Sequence, residues 1–262
     1  MIWHVAHDTD VAPQILDTAR NILRVRLEKW LVEYGARHAT RIVVQTQHQA
    51  ALLRNHYRRA ADAVIGNFHP PATGELDKHG PRTVVWIANL KPWKQPEAFV
   101  RLAQALVGYD DVRFVMVGAP AASSGNQEWQ DALMRSIEAT PNLRYVGQKT
   151  HDEVNELLGR AHIFVNTSTH EGFPNTFIQA WLRDVAVVSL QVDPDDVLDR
   201  MQVGIAARSE DGLQAAVRRL LENPRECADY ARRGMVHATV NHSLKNADEL
   251  IRLIDSACVE TA

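Results

Sequence analysis

The sequence predicts an α/β protein: a doubly wound, Rossmann-like parallel sheet preceded by a short partial α/β segment. Three observations predict it. Short continuous apolar runs recur after residue 82, helical patterns fill the intervals between them, and a Gly- and Pro-punctuated stretch at 66–82 separates this regular region from what precedes it. Strands apolar on both faces belong in a sheet covered by helices on both sides. Alternation with helices makes such a sheet parallel, with right-handed crossovers.

The elements follow in order. Residues 12–38 read as one long helix, with Ile15, Leu16, Ile22, Leu23, Leu27, Leu31 and Tyr34 at helical spacing, Pro13 suited to a first turn and Gly35 near the end. Ile42-Val43-Val44 reads as a strand, 47–57 as a helix and Ala63-Val64-Ile65 as a second strand. Gly66, Pro70-Pro71, Gly74 and Gly80-Pro81 are linker chemistry, so the chain divides into 1–80 and 81–262. Beyond that point, strands are expected at 83–90, 112–118, 143–147, 163–168 and 186–190, with helices at 96–107, 127–139, 151–160 and 175–183. The tail at 210–256 reads as helical throughout.

Composition narrows the function. The 262 residues are 45% hydrophobic and 23% charged, with a net charge of -3, which is ordinary for a globular chain and gives no electrostatic footprint for nucleic acid. Two cysteines, Cys227 and Cys258, form no metal or disulfide pattern and suit a reducing compartment. Charge within the first eight residues argues against a secretory leader, and no apolar run is long enough to span a membrane. The expectation is a cytoplasmic protein. The pairs Arg58-Arg59, Arg218-Arg219 and Arg232-Arg233 read either as solvated helix faces or as a peripheral contact with the inner face of an anionic membrane. His4, His7, Asp8 and Asp10 match no metal-site spacing, so no metal is expected.

In an open parallel sheet, ligands bind beyond the carboxyl ends of the strands. The informative loop there is His170-Glu171-Gly172-Phe173-Pro174-Asn175-Thr176, which follows a predicted strand and opens a helix containing Gln179. Gly172 permits close backbone approach, Asn175 suits an N-cap, and the first amides of a helix form an anion site. A carboxylate, free amides and a side-chain amide within ten residues suit a ligand bearing both hydroxyls and phosphates, such as a sugar nucleotide. Gly118, at the end of the strand 112–118, reads either as a close approach to a nucleotide or as a simple turn. His170 reads either as a phosphate or sugar partner or as a solvated histidine.

The segment 171–179 resembles glycosyltransferase family 4, whose signature is Glu, seven residues, Glu, opening as EGFP or EGFG. Glu171 matches the first position and Gln179 replaces the second Glu. The resemblance implies that Glu171 contacts the donor sugar, that the backbone of Gly172, Phe173, Pro174, Asn175 and Thr176, with its free amides, faces sugar and phosphate, and that Gln179 holds the ribose without the charge of a carboxylate. Residues 83–102 resemble the family's first strand, loop and helix of the donor domain. Lys94 matches its diphosphate-binding lysine, while Asn89 stands where the family has an arginine. The match covers about residues 40–255 and implies a retaining GT-B enzyme that needs no metal or other cofactor. Such an enzyme moves a hexosyl unit from a nucleoside diphosphate sugar to a saccharide or lipid-linked acceptor. The residues before 81 are too few for a full acceptor domain, so they read as a remnant of one. Two other functions stay open: a non-catalytic or decayed sugar-nucleotide-binding module, favoured by Asn89 and Gln179, and a GT-B sugar-nucleotide epimerase.

Overall fold

The computed structural model describes residues 1–12, 22–120 and 127–259. In chain order its strands and α-helices are β1 (Ile2–His4), α1 (Ile22–His38), β2 (Arg41–Val44), α2 (Gln47–Tyr57), β3 (Ala63–Val64), β4 (Arg82–Ile87), α3 (Pro96–Ala105), β5 (Val112–Val117), α4 (Gln127–Glu138), β6 (Leu143–Tyr145), α5 (His151–Arg160), β7 (Ile163–Asn166), α6 (Asn175–Leu182), β8 (Ala186–Ser189), α7 (Val197–Arg200), β9 (Gly204–Ala206), α8 (Glu210–Glu222), α9 (Pro224–Asn241) and α10 (Lys245–Val259). Contacts gather the chain into two compact units: Met1–Pro70 with Glu171–Asn175 and Asn241–Ala262, and Pro71–His170 with Thr176–Val240.

The first unit is a three-stranded parallel sheet in the order β1-β2-β3, cored by Val5, Val11, Ile42, Val44 and Leu53. Thr46 caps α2, its side chain accepting from the Gln49 amide at 3.0 Å, as an N-cap threonine should. The expected helix 12–38 is present over Ile22–His38, while its predicted start at 13–21 lies outside the described residues. Three of the apolar residues that signalled α1 are described, and they are not core. Leu27, Leu31 and Tyr34 are about half exposed, as is Trp30, and Trp30, Tyr34 and His38 stack in series along the helix. Periodicity reports helical spacing; it does not say what covers the stripe.

The second unit is a six-stranded sheet, all parallel, in the order β6-β5-β4-β7-β8-β9. This is the doubly wound Rossmann-like architecture that the alternating pattern predicted. β7 and β8 are buried at every position, which is why the sequence shows continuous apolar runs there instead of alternation. Trp86, Phe99 and Phe114 pack in sequence at the centre of the core, with ring centroids 6.5 and 5.7 Å apart. Gly204 begins a sixth strand beyond the five that the sequence predicted, and the helical tail resolves into α8, α9 and α10.

Trp181 on α6 is fully buried and donates its indole N–H to the Val203 carbonyl at 2.8 Å. Gly234 of α9 leaves room for that ring, since a Cβ there would lie 2.1 Å from the indole. Trp181→Phe puts a smaller ring in this buried place and strands a buried carbonyl, the latter alone a loss of about 1–3 kcal/mol that urea unfolding will read as a lower midpoint at unchanged slope.

Residues 71–80, read as linker, belong to the second unit and are held in it by two cations, buried Arg183 and half-buried Lys78. The Arg183 guanidinium donates to the carbonyls of Thr73, Gly74 and Glu75 at 2.7–3.0 Å. The Lys78 ammonium donates to the carbonyls of Leu158, Ala161 and Arg183. Burial pulls Lys78 down from 10.5 to about 8, against the opposing pull of Asp184. The folded chain therefore releases this proton near pH 8, whereas the unfolded chain holds it to about 10.5. Between those values the unfolded state binds more protons, so raising the pH favours folding. Below pH 8 both states hold the proton and the handicap is constant. Stability measured from pH 7 to 10 will rise relative to Lys78→Met, which lacks this titration.

Candidate functional site

The sheet order reverses between β4 and β7: β5 and β6 lie to one side of β4, and β8 and β9 lie beyond β7. Such a switch point opens a crevice at the carboxyl ends of the strands. The loop leaving β4 runs through Asn89 and Lys94, and the loop leaving β7 runs through Thr167 to His170. The structure brings these two loops together. Buried Trp86 donates to the Thr167 hydroxyl at 2.8 Å, Thr167 Oγ1 donates to the Lys94 carbonyl at 2.6 Å, and the Thr169 amide donates to the Trp93 carbonyl at 2.8 Å.

Lys94 ends a 3-10 turn over Pro92–Lys94 and is half-buried. Gln95 follows in the left-handed region at φ 47°, turning the chain into α3 with Pro96 in its first turn. His170 stacks on Trp93 with centroids 6.5 Å apart, and its Nδ1 meets the Thr169 hydroxyl at 2.7 Å. The Lys91 ammonium lies 4.7 Å from the centre of the Trp93 ring. Asn89 is exposed between two backbone bonds to the end of β5, from the Ala88 amide to Val117 and from the Leu90 amide to Ala119.

Gly118 has a reason internal to the protein. A Cβ there would stand 1.7 Å from the Ala88 carbonyl oxygen, so the loops after β4 and β5 meet only because this residue has no side chain. Its amide donates to Gly147 at 2.9 Å, and its carbonyl accepts from the Tyr145 hydroxyl at 2.7 Å. Burial pushes the Tyr145 phenol up, which keeps that donor protonated.

The motif itself begins with half-buried Glu171. Gly172 is buried in the first unit. A Cβ there would lie 2.6 Å from the Ala6 carbonyl oxygen, 3.0 Å from Gln49 Nε2 and 3.2 Å from Gln45 Oε1. The atoms closest to its open face are thus the protein's own. The Phe173 amide donates to Gln45 Oε1 at 3.3 Å, so one of the amides expected to face phosphate has an internal acceptor. The Phe173 carbonyl accepts from Asn67 Nδ2 at 3.0 Å, and its ring packs on His242 at 4.5 Å. Pro174 is buried. Asn175 is exposed and is the first residue of α6, one position inside the cap expected of it, and Thr176 is half-buried.

Gln179 lies one turn into α6, half-buried, with Nε2 3.1 Å from His151 Nε2. Sequence reasoning missed His151, as it missed Trp93, Gln45, Gln49, Asn67 and His242. Of these, only Trp93, beside Lys94, carried a local signal.

The N-terminal polar group is a set of caps. His7 Nδ1 accepts from the Thr9 amide at 3.2 Å, Asp10 accepts from the amides of Ala6 and His7, and Asp8 accepts from Gln49 Nε2 at 3.1 Å. Among the described residues, no group of three or more His, Cys, Asp or Glu is placed to hold a metal ion. Both cysteines are free, Cys227 buried with its thiol pushed up to about 12 and Cys258 exposed. No described helix is long and apolar enough to cross a membrane. Of the paired arginines, Arg59 donates to carbonyls at the end of α1, Arg219 pairs with Glu226, Arg232 with Asp229, and Arg233 with the Gln202 carbonyl.

The six-stranded all-parallel sheet with its switch point between β4 and β7 defines the second unit as a Rossmann-like domain. The family model described as glycosyl transferases group 1 matches residues 81–223, more than half of the chain, and the chain belongs to that family. No curated protein matches it in sequence. Among solved structures, Anabaena HepE in complex with UDP and glucose is similar, with a TM-score of 0.78 at 16% identity over 97% of this chain and 71% of that one. A TarM mutant of S. aureus in complex with fondaparinux, α-GlcNAc-glycerol and UDP has a TM-score of 0.72 at 18% identity, over 86% of this chain and 46% of that one. Sucrose-phosphate synthase from Thermosynechococcus elongatus has a TM-score of 0.76 at 14% identity, over 98% and 68%. The chain therefore spans less than half the length of TarM.

Proposed function

We propose that this chain carries the nucleotide-sugar site of a retaining family 4 glycosyltransferase, with residues 1–80 belonging to its acceptor domain. It transfers a hexosyl unit from a nucleoside diphosphate sugar to a saccharide or lipid-linked acceptor, without a metal. The observation that carries this reading is the pairing of the Lys94 turn with the Thr167–His170 loop at the switch point, continuing directly into the EGFP motif. Lys94 and the remaining amides at the start of α6 stabilise charge building on the leaving diphosphate, Glu171 orients the donor sugar, and Gln179 holds the ribose. Asn89, Gly118 and His170 line the nucleotide. HepE and TarM were solved with UDP, which makes UDP the first nucleotide to try.

Calorimetric titration with UDP, GDP and ADP tests this directly. Saturable binding of one nucleotide, weakened by Lys94→Ala, supports it, as does Glu171→Ala affecting the sugar nucleotide more than the bare nucleotide. Absence of binding to all three overturns it. Turnover unchanged by a chelator is the expectation for a metal-free site. The enzyme is placed in the cytoplasm, peripheral to an anionic inner membrane, and failure to pellet with anionic vesicles removes the membrane contact.

A second reading has its own observations. Gln179 is bonded to His151 and Asn89 stands where a second cation would help, as in a sugar-nucleotide-binding module without catalysis. Donor binding with no turnover beside candidate acceptors selects that reading.

A further inference from the structure

Resting on the donor-site reading, we infer that Gln45 and Asn67 are positioning residues for Glu171: they clamp the backbone of Gly172-Phe173 and so hold the acid one residue upstream. The clamp closes from both sides of one residue. Gln45 Oε1 accepts the Phe173 N–H at 3.3 Å, and Asn67 Nδ2 donates to the Phe173 carbonyl at 3.0 Å. Both clamping side chains are themselves fixed within the first unit. Gln45 is 8% exposed, and its backbone amide donates at 2.8 Å to Gln49 Oε1. Gln49 is fully buried, and its other side-chain atom donates to Asp8. On the other side, the Asn67 carbonyl lies 2.7 Å from His242 Nδ1, the His69 amide donates to the His242 carbonyl at 2.9 Å, and the His242 ring packs on Phe173.

Buried side-chain amides are expensive to desolvate, so a network in which each has a partner marks one required geometry. Gly172 fits the same socket only without a Cβ. An acid that must meet a bound sugar needs its backbone held to a fraction of an ångström, and residues reaching it through a bonded neighbour supply that. Gln45 lies 128 residues from Phe173 in the chain, so the clamp is a product of tertiary structure.

The test uses the full chain with Gln45→Ala, Asn67→Ala and Gln45→Glu, whose carboxylate still accepts the Phe173 N–H. Two readouts are taken: exchange of the Phe173 amide by nitrogen-15 NMR, and steady-state kinetics with the sugar nucleotide that the wild type uses. Gln45→Ala is expected to speed Phe173 exchange about tenfold and lower kcat by about tenfold, with KM and the affinity for bare nucleotide little changed. Gln45→Glu restores both, and Asn67→Ala lowers kcat in the same way. Unchanged kcat in both alanine variants overturns the inference, as does a Phe173 amide that exchanges freely in the wild type. A wild type with a protected Phe173 amide that binds no nucleotide sinks the donor-site reading instead.

Discussion

Lys94→Ala will weaken nucleoside diphosphate binding by about 10- to 100-fold, the value of one charge-assisted hydrogen bond of about 1.5–3 kcal/mol. The expected effect is large because of what stands at Asn89. A diphosphate carries its charge on two phosphoryl groups, and a site with two cations divides that load. Here the second cation is replaced by an amide that has no charge to offer, so Lys94 bears more of it. The half-buried setting of Lys94, in a turn whose carbonyl is bonded to Thr167, raises the value further by excluding water and fixing the direction of the side chain. The reciprocal variant follows: Asn89→Arg will tighten nucleotide binding by about tenfold. Titration calorimetry at two salt concentrations reads both variants. An affinity unchanged in Lys94→Ala would make it an ordinary surface lysine and would remove the chemical half of the donor-site reading.

The fold was legible in the sequence because the physics of a parallel sheet is local in its consequences. Each buried strand must be apolar on both faces, so Val84, Val85 and Trp86, or Val187 and Val188, announce themselves without any knowledge of their neighbours. The motif from Glu171 to Gln179 was legible for a similar reason, since its loop chemistry and helix start are contiguous. What was not legible depends on distance along the chain. Nothing near Gln45, Asn67 or His242 says that they converge on Phe173. Polar residues at loop starts are common, and only the closed fold reveals which of them are bonded. The spacing of Leu27, Leu31 and Tyr34 predicted α1 but carries no information on what covers them, and all three are about half exposed. Gly172 was read as a glycine for a ligand's sake and Gly118 as either that or a simple turn, because sequence shows that a position demands glycine and does not show what occupies the space where a side chain would go.

That last ambiguity yields the second large effect. Gly118→Ala will destabilise the chain by about 3 kcal/mol or more, because its Cβ would be driven onto the Ala88 carbonyl, a backbone atom that no rotamer can move aside. For a chain of this size that corresponds to a melting temperature lower by about 6–12 °C. Gly147→Ala is the control. It sits at φ 69° with nothing within 4 Å of its missing Cβ, so it bears only the left-handed backbone penalty of about 1–2 kcal/mol. If glycine were needed at 118 chiefly to admit a nucleotide, alanine would cut binding and leave the melting temperature near that of the wild type. If it is needed to let two loops meet, the melting temperature falls first. Binding then falls with it, since the displaced Ala88 begins the loop that carries Asn89 and Lys94. Thermal denaturation and nucleotide titration on the same two variants therefore separate a glycine that serves the ligand from one that builds the crevice.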